Sequence, residues 1–324
     1  MSPDLLELTV AEVRPLTPHI TAFVLRHAHG LALPAYQAGA HIKIGVEIGG
    51  APAWRHYSLI DIGKAPAQPS EYLIAVRRDE AGRGGSLYLH NSVQAGQRLR
   101  ASLPVNGFRL DPAHRDVLLI AGGIGITPLA SMACALRAEG KSFALHYSGR
   151  SLEQLALVPQ LQAALGDALT LYADDDSAPR LDLHRLLAGC TPSQALYICG
   201  PKGMIDAVRA TASALGWHDD KIRYELFTEA SAEAGDQAFE IELAQSGMRL
   251  QVGADMTILD AMLEAGLDPM FDCKRGECGV CATAVLAGAI EHRDTCLTES
   301  ERAGGKVIQI CISRAQGTCL VLDA

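Results

Sequence analysis

Three cysteines carry the sharpest chemical signal in the chain. They lie in Cys273-Lys-Arg-Gly-Glu-Cys278-Gly-Val-Cys281, a C-x4-C-x2-C spacing. That spacing suits thiolates which converge, with one further cysteine, on the two irons of a [2Fe–2S] cluster. Such a loop must fold back with its backbone close to the inorganic sulfurs. Gly276 and Gly279 meet that need, because no side chain blocks the approach and positive φ is open to them. Inward-pointing N–H groups would then stabilise the cluster's negative charge. A zinc site usually shows a second short C-x2-C pair, which the sequence lacks. The fourth thiolate must come from downstream, where Cys296, Cys311 and Cys319 remain. Cys311 stands in the apolar run Lys306-Val-Ile-Gln-Ile-Cys311-Ile-Ser, which reads as a strand able to return to the loop. Cys296 and Cys319 read more simply as small, partly buried hydrophobes.

Two other groups of residues suit nucleotide-like ligands. In Arg55-His56-Tyr57-Ser58-Leu59, Arg55 can pair with a phosphate, Tyr57 can pack on a ring system and Ser58 can hydrogen-bond to it. Downstream, Gly82-Arg83-Gly84-Gly85-Ser86-Leu87 leads into a short helical stretch, so free N–H groups at a helix start can cradle a phosphate. Ala75 and Val76 end the strand before it, and Arg77 and Arg78 add positive charge. The second group begins with the buried run Val117–Ala121, which enters Gly122-Gly123-Ile124-Gly125-Ile126-Thr127-Pro128 and then a helix. This is not G-x-G-x-x-G, but its place after a strand suits nucleotide binding. Cys199-Gly200-Pro201-Lys202-Gly203-Met204 repeats the arrangement at another strand end.

The elements that must position these residues fall into three regions. Up to about Pro112, short segments read as strands (Ala40–Val46, Tyr57–Ile60, Glu71–Val76, Gln97–Leu103) without a long helical period, as in a small antiparallel barrel. From Asp116, apolar strands alternate with helices. Val117–Ala121, Phe143–Tyr147, Leu169–Tyr172, Ala195–Cys199 and Ile222–Leu226 read as buried parallel strands. Thr228–Gln237 reads as a linker. Beyond it, Ala238–Leu243 and Met248–Val252 form a hairpin, and a helix spans Ile258 to Ala265 ahead of the cysteine loop. The expected division is residues 1–112, 113–228, a linker at 229–237, and 238–324.

Composition narrows the function classes. A formal net charge of −9 gives no electrostatic footprint for nucleic acid or an anionic membrane. No apolar run reaches the ~18–20 residues of a membrane span. Met1-Ser2-Pro3-Asp4 does not open a secretory signal, so the expected location is cytoplasmic. Nine cysteines, an odd number concentrated near one end, do not read as a disulfide scaffold.

Taken together, Arg-x-Tyr-Ser, Gly-Arg-Gly-Gly-Ser, Gly-Gly-x-Gly-x-Thr-Pro, Cys-Gly-Pro and the C-terminal cysteine loop resemble the phthalate dioxygenase reductase family over essentially the whole chain. The resemblance implies an antiparallel β-barrel flavin domain, a doubly wound α/β nucleotide domain and a β-grasp ferredoxin domain. It also implies FMN rather than FAD, hydride from NADH, and electron delivery to a Rieske-type oxygenase or demethylase. On that basis Cys311 is the ligand that joins Cys273, Cys278 and Cys281. Arg55, His56, Tyr57, Ser58, Ala75, Val76, Arg77, Gly84, Gly85 and Ser86 would hold FMN. Gly122, Gly123, Gly125, Thr127, Gly200, Pro201 and Asp174 would hold NADH. Ser58, Thr127, Cys199 and Phe227, the last closing the final strand, would line the reacting centre. Cys296 departs from the family's pattern. Electron counting agrees with this order of cofactors: NADH gives two electrons, a [2Fe–2S] cluster takes one, and a flavin mediates between them.

The alternatives are a reductase for another class of monooxygenase and a [2Fe–2S] redox sensor without turnover. A sensor would need no flavin site. For the nucleotide, Arg150 could accept a 2′-phosphate, whereas Asp174-Asp175-Asp176 would repel one, which favours NADH.

Overall fold

Thirteen residues of alternating burial, Leu5–Thr17 (β1), open the described chain and pair antiparallel with Ile20–His27 (β2). The computed structural model describes residues 5–63, 68–227 and 235–324. This first hairpin is absent from the strands expected above. The register of β1 against β2 shifts between Val10 and Glu12 and again between Pro15 and Thr17, which breaks the strict alternation that marks a strand in sequence. His41–Ile48 (β3), Ala51–Ser58 (β4), Glu71–Arg77 (β5) and Arg98–Ser102 (β6) complete a six-stranded sheet in the order β4-β3-β6-β1-β2-β5. The fourth strand thus starts six residues earlier than the expected Tyr57 and stops at Ser58. It carries Arg55, His56, Tyr57 and Ser58 on one continuous segment. The helix Gly85–Ser92 (α1) packs on β3, β4 and β5, and its Leu89 enters a core of Leu8, Phe23, Ile42, Leu59 and Ile74.

The next sheet is parallel, in the order β11-β10-β7-β8-β9. Its strands are Asp116–Gly122 (β7), Ser142–Gly149 (β8), Leu169–Ala173 (β9), Ala195–Cys199 (β10) and Ile222–Glu225 (β11). The helices Ile126–Ala138 (α2), Val158–Leu165 (α3), Leu183–Ala188 (α4) and Lys202–Ala214 (α5) connect them. The chain runs outward from β7 through β8 to β9, then returns to the other side of β7 as β10 and β11. The strand order therefore reverses between β7 and β10, where open α/β sheets bind ligands at their carboxyl ends. β11 stops at Glu225, so Phe227 does not close it as expected; Phe227 lies two residues beyond the strand.

Both sheets belong to one unit, Met1–Glu225, and Leu226–Ala324 form a second. The second unit is built on a mixed sheet, β13-β12-β18-β14-β16. Phe239–Leu243 (β12) and Met248–Val252 (β13) form the expected hairpin, followed by Ile258–Glu264 (α6). Ala282–Ala287 (β14), Ile290–Glu291 (β15), Glu299–Gly304 (α7), Val307–Gln309 (β16), Arg314–Ala315 (β17) and Cys319–Leu322 (β18) follow, with β15 paired to β17. Thr257 caps α6 through a reciprocal capping box with Asp260, a device that contributes ~1 kcal/mol. The apolar face of the helix, Ile258, Leu259 and Met262, shares a core with Phe239, Ile241, Ile308, Ile310 and Leu320. A helix laid on a mixed sheet in this way is the β-grasp arrangement. Residues 229–234 of the expected linker lie outside the described residues. Among the described residues no helix is long and apolar enough to cross a membrane.

Candidate functional site

Arg55 lies on the glycine turn that the sequence assigns to a phosphate. Its Nη2 donates to Arg83 O (2.8 Å) and its Nη1 to Trp54 O (2.9 Å). Its aliphatic stem runs against Gly85, where a Cβ would lie 2.5 Å from Arg55 Cγ. The guanidinium and the start of α1, with Gly84 as N-cap, therefore form one positively charged corner. Tyr57 is partly buried against the barrel core, and burial pushes its phenol well up, with Arg55 opposing. Ser58 is buried at the end of β4. His56 shares the face of Ser58, opposite Arg55 and Tyr57, and packs edge-on to His41, with ring centroids 5.1 Å apart. Ser86 uses its hydroxyl locally, accepting from Asp79 N at 3.1 Å.

The strand β5 ends the six-stranded sheet, and its outer edge faces the segment after β4. Leu73 O accepts from Ile60 N there, while Arg78 N donates to His19 O on the β2 side, each at 2.8 Å. Because antiparallel residues alternate, Ala75 and Arg77 turn their main-chain groups to the outer edge and Val76 turns its own toward β2. A planar ring seated at that edge would meet Ala75 and Arg77.

The two glycine turns of the parallel sheet meet at its switch point. A Cβ on Gly125 would stand 2.1 Å from Cys199 O and 2.7 Å from Gly200 N; one on Gly122 would stand 2.8 Å from Pro201 Cδ. Residues 74 positions apart in sequence are thus in backbone contact, and only glycine permits it. Thr127 is buried at the start of α2, where its hydroxyl donates to Ile124 O (3.0 Å) and shapes the turn. Cys199 is fully buried. At the ends of β8 and β9, Asp174 N donates to Gly149 O (3.0 Å) and Asp175 N to Arg150 O (3.1 Å). The arginine and the aspartates weighed for nucleotide choice therefore sit on adjoining loops. Hydrogen bonds from Ser177 hold the Asp175 carboxyl below its ordinary value.

In the second unit, four thiols converge. The Cys273 thiol neighbours those of Cys278 and Cys311, and the Cys281 thiol neighbours that of Cys311 and donates to Gln309 Oε1 at 3.3 Å. Arg275 N and Glu277 N both donate to Cys273 Sγ, at 3.3 and 3.5 Å. The Cys278 and Cys311 contacts, followed by these amides, favour the thiolate of Cys273 strongly. Four soft donors in one place, with inward amides, fit a [2Fe–2S] cluster. Gly276 and Gly279 both adopt φ +74°, as the loop geometry required. Cys311 does not lie in a strand: β16 ends at Gln309, and Ile312 N and Ser313 N bond back to Gln309 O, which folds Cys311 into a tight turn. Cys296 is near the loop, 4.0 Å from a Cβ built on Gly279. Its thiol donates to Asp294 Oδ2, and burial pushes it up to about 12.

Sequence reasoning overlooked a buried clamp within this loop. Glu277 Oε1 accepts from Leu226 N and Arg275 Nη1 donates to Leu226 O, each at 2.7 Å, and the two side chains pair at 3.5 Å. Burial pushes the Glu277 carboxyl up to about 7, with Arg275 opposing. Nothing in the spacing of the motif distinguishes these charges from solvated ones.

The neighbouring cysteines and the two glycine-rich turns together mark a modular reductase with an iron–sulfur domain. Residues 241–316 match the family model for a 2Fe-2S iron-sulfur cluster binding domain. The chain is 39% identical over its full length to the toluene-4-sulfonate monooxygenase system reductase subunit of Comamonas testosteroni, covering all of that protein. Among solved structures it matches phthalate dioxygenase reductase, a modular structure for electron transfer from pyridine nucleotides to [2Fe–2S]. The TM-score is 0.68 and the identity 33%, over 99% of this chain and 98% of that one. It also matches an intact type IV self-sufficient cytochrome P450 monooxygenase (TM-score 0.79, 34% identity), where 99% of this chain spans 41% of the larger protein. The chain belongs to the phthalate dioxygenase reductase family.

Proposed function

We propose that this protein is the NADH-oxidising reductase of a Rieske-type oxygenase or demethylase, working in the cytoplasm. FMN would sit on residues 1–112, NADH on 113–228 and the cluster on 238–324, with 229–237 joining them. The observation that carries the reading is the meeting of Cys273, Cys278, Cys281 and Cys311 in a chain that also brings two glycine turns together at a sheet switch point. The flavin, when bound, accepts a hydride and releases electrons singly. The chain's own part is binding and alignment. Arg55, Gly84, Gly85 and the amides at the start of α1 hold the phosphate. Tyr57, Ser58 and the outer edge at Ala75 and Arg77 fix the ring. Gly122, Gly123, Gly125, Gly200 and Pro201 would let the nicotinamide approach the backbone closely, and Thr127 and Cys199 would line that turn. Asp174 receives the adenosine ribose. The thiolates of Cys273, Cys278, Cys281 and Cys311 hold the cluster.

The test is compositional and kinetic. The purified protein should hold two irons, two labile sulfides and one FMN, and NADH should reduce the flavin and the cluster under anaerobic conditions. Stoichiometric FAD, or flavin absent after reconstitution, would overturn the assignment. A haem protein as electron acceptor is the second reading, favoured by the match within a self-sufficient P450. Reduction of a purified Rieske oxygenase against a purified P450, at matched concentrations, separates the two.

A further inference from the structure

Helix α1 is fastened to the barrel by His90, a residue that no motif above includes. His90 Nε2 lies 2.9 Å from Val76 O on β5, and Nδ1 lies 3.4 Å from Thr21 Oγ1 on β2. A carbonyl only accepts, so Nε2 carries the proton and Nδ1 accepts from the threonine hydroxyl. Thr21 and Val76 are register partners across the β2–β5 pair, so one imidazole bridges both strands of the seam. Two more bonds tie the same helix to the residues just after β5: Asp79 N donates to Ser86 Oγ (3.1 Å), and Arg78 Nη1 donates to Asn91 Oδ1 (2.6 Å). The N-terminal end of α1 forms the phosphate corner with Arg55. The strand it is fastened to offers the ring edge at Ala75 and Arg77.

We infer that His90 is a positioning residue which holds the phosphate corner and the ring edge at the separation a flavin mononucleotide requires. The inference rests on the flavin placement proposed above. A ligand that engages two sites at once gains most from the second when their spacing is fixed. Without the His90 link, α1 can shift along the seam while β5, paired through its length to β2, stays in place. The ring contact then survives and the phosphate contact weakens.

The experiment compares FMN with riboflavin, which lacks the phosphate, by fluorescence titration of flavin-stripped protein. His90→Phe keeps a ring but removes both bonds. It should weaken FMN binding by about five- to tenfold and leave riboflavin within about twofold. His90→Gln, whose amide can donate to Val76 O, should recover most of the loss. Thr21→Val should lower the FMN-to-riboflavin ratio by about two- to threefold and keeps the test alive if His90→Phe does not fold. A general loss of stability would weaken both ligands equally, and that result overturns the inference. Arg55→Ala serves as the reference. If it collapses the ratio while the His90 and Thr21 variants leave it intact, the inference alone fails. If Arg55→Ala also leaves the ratio intact, the flavin placement fails and the inference with it.

Discussion

Replacing Gly125 with alanine tests the geometry of the nucleotide site at a single atom. The new Cβ would stand 2.1 Å from Cys199 O, 2.4 Å from Cys199 C and 2.7 Å from Gly200 N. Carbon atoms settle at ~3.5 Å or more from such neighbours, so the two turns must part by about 1 Å or more. All three atoms are backbone, so no flexible side chain can yield. Overpacking of this kind costs ~1–3 kcal/mol of stability. A reacting centre misplaced by ~1 Å loses about 10²-fold in rate, equivalent to ~2.7 kcal/mol of barrier. The variant should therefore retain FMN and iron while anaerobic stopped-flow reduction by NADH slows about 100-fold. Gly203→Ala is the matched control. It sits in α5 within the other turn, its Cβ meets nothing within 4 Å, and alanine in a helix adds up to ~1 kcal/mol of stability. A Gly125→Ala enzyme reduced by NADH within twofold of the parent rate would refute the proposed contact between the turns and the nicotinamide.

Three further outcomes are expected. Cys311→Ser should abolish or grossly alter the cluster's absorption and iron content, whereas Cys296→Ser and Cys319→Ser retain two irons; iron loss in Cys296→Ser with retention in Cys311→Ser would reverse the ligand assignment. Glu277→Ala strands a buried arginine and the Leu226 amide, which should cost ~3–5 kcal/mol, while Glu277→Gln keeps an acceptor and should cost much less; chemical unfolding of the holoprotein measures the difference, and equal losses would contradict the clamp. Burial holds His114 below its ordinary value, with Asp111 opposing, so the fold favours the neutral ring. Above ~6.5 both folded and unfolded states are neutral and this contribution is fully present; as pH falls below that, the unfolded state takes the proton first and stability declines. His114→Gln should flatten this part of the thermal-midpoint profile between pH 7.5 and 5.5, and an unchanged slope would exclude His114 as its source.

The chemistry and the order of the fold's parts can be read from short stretches of residues. Cysteine spacing, glycines next to strand ends and a switch from short alternating strands to buried ones are local features, and local features survive in one dimension. The central parallel strands were legible as buried apolar runs, such as Ala195–Cys199, in which all five residues are buried, and the partly buried strands beside them as short segments between helical stretches. The β1–β2 hairpin was not legible, because two register shifts interrupt its alternation. Tertiary structure alone brought Cys311 to Cys273 and Cys281 from a turn rather than a strand, while Cys296, close by, gives its thiol to Asp294. It alone pressed Gly125 against Cys199, turned Arg275 and Glu277 inward to grip Leu226, and set His90 across the seam of Thr21 and Val76. The physical reason is common to these cases. A residue's type and neighbours fix what bonds it can make, but which partner lies within 3 Å depends on strands paired from distant parts of the chain.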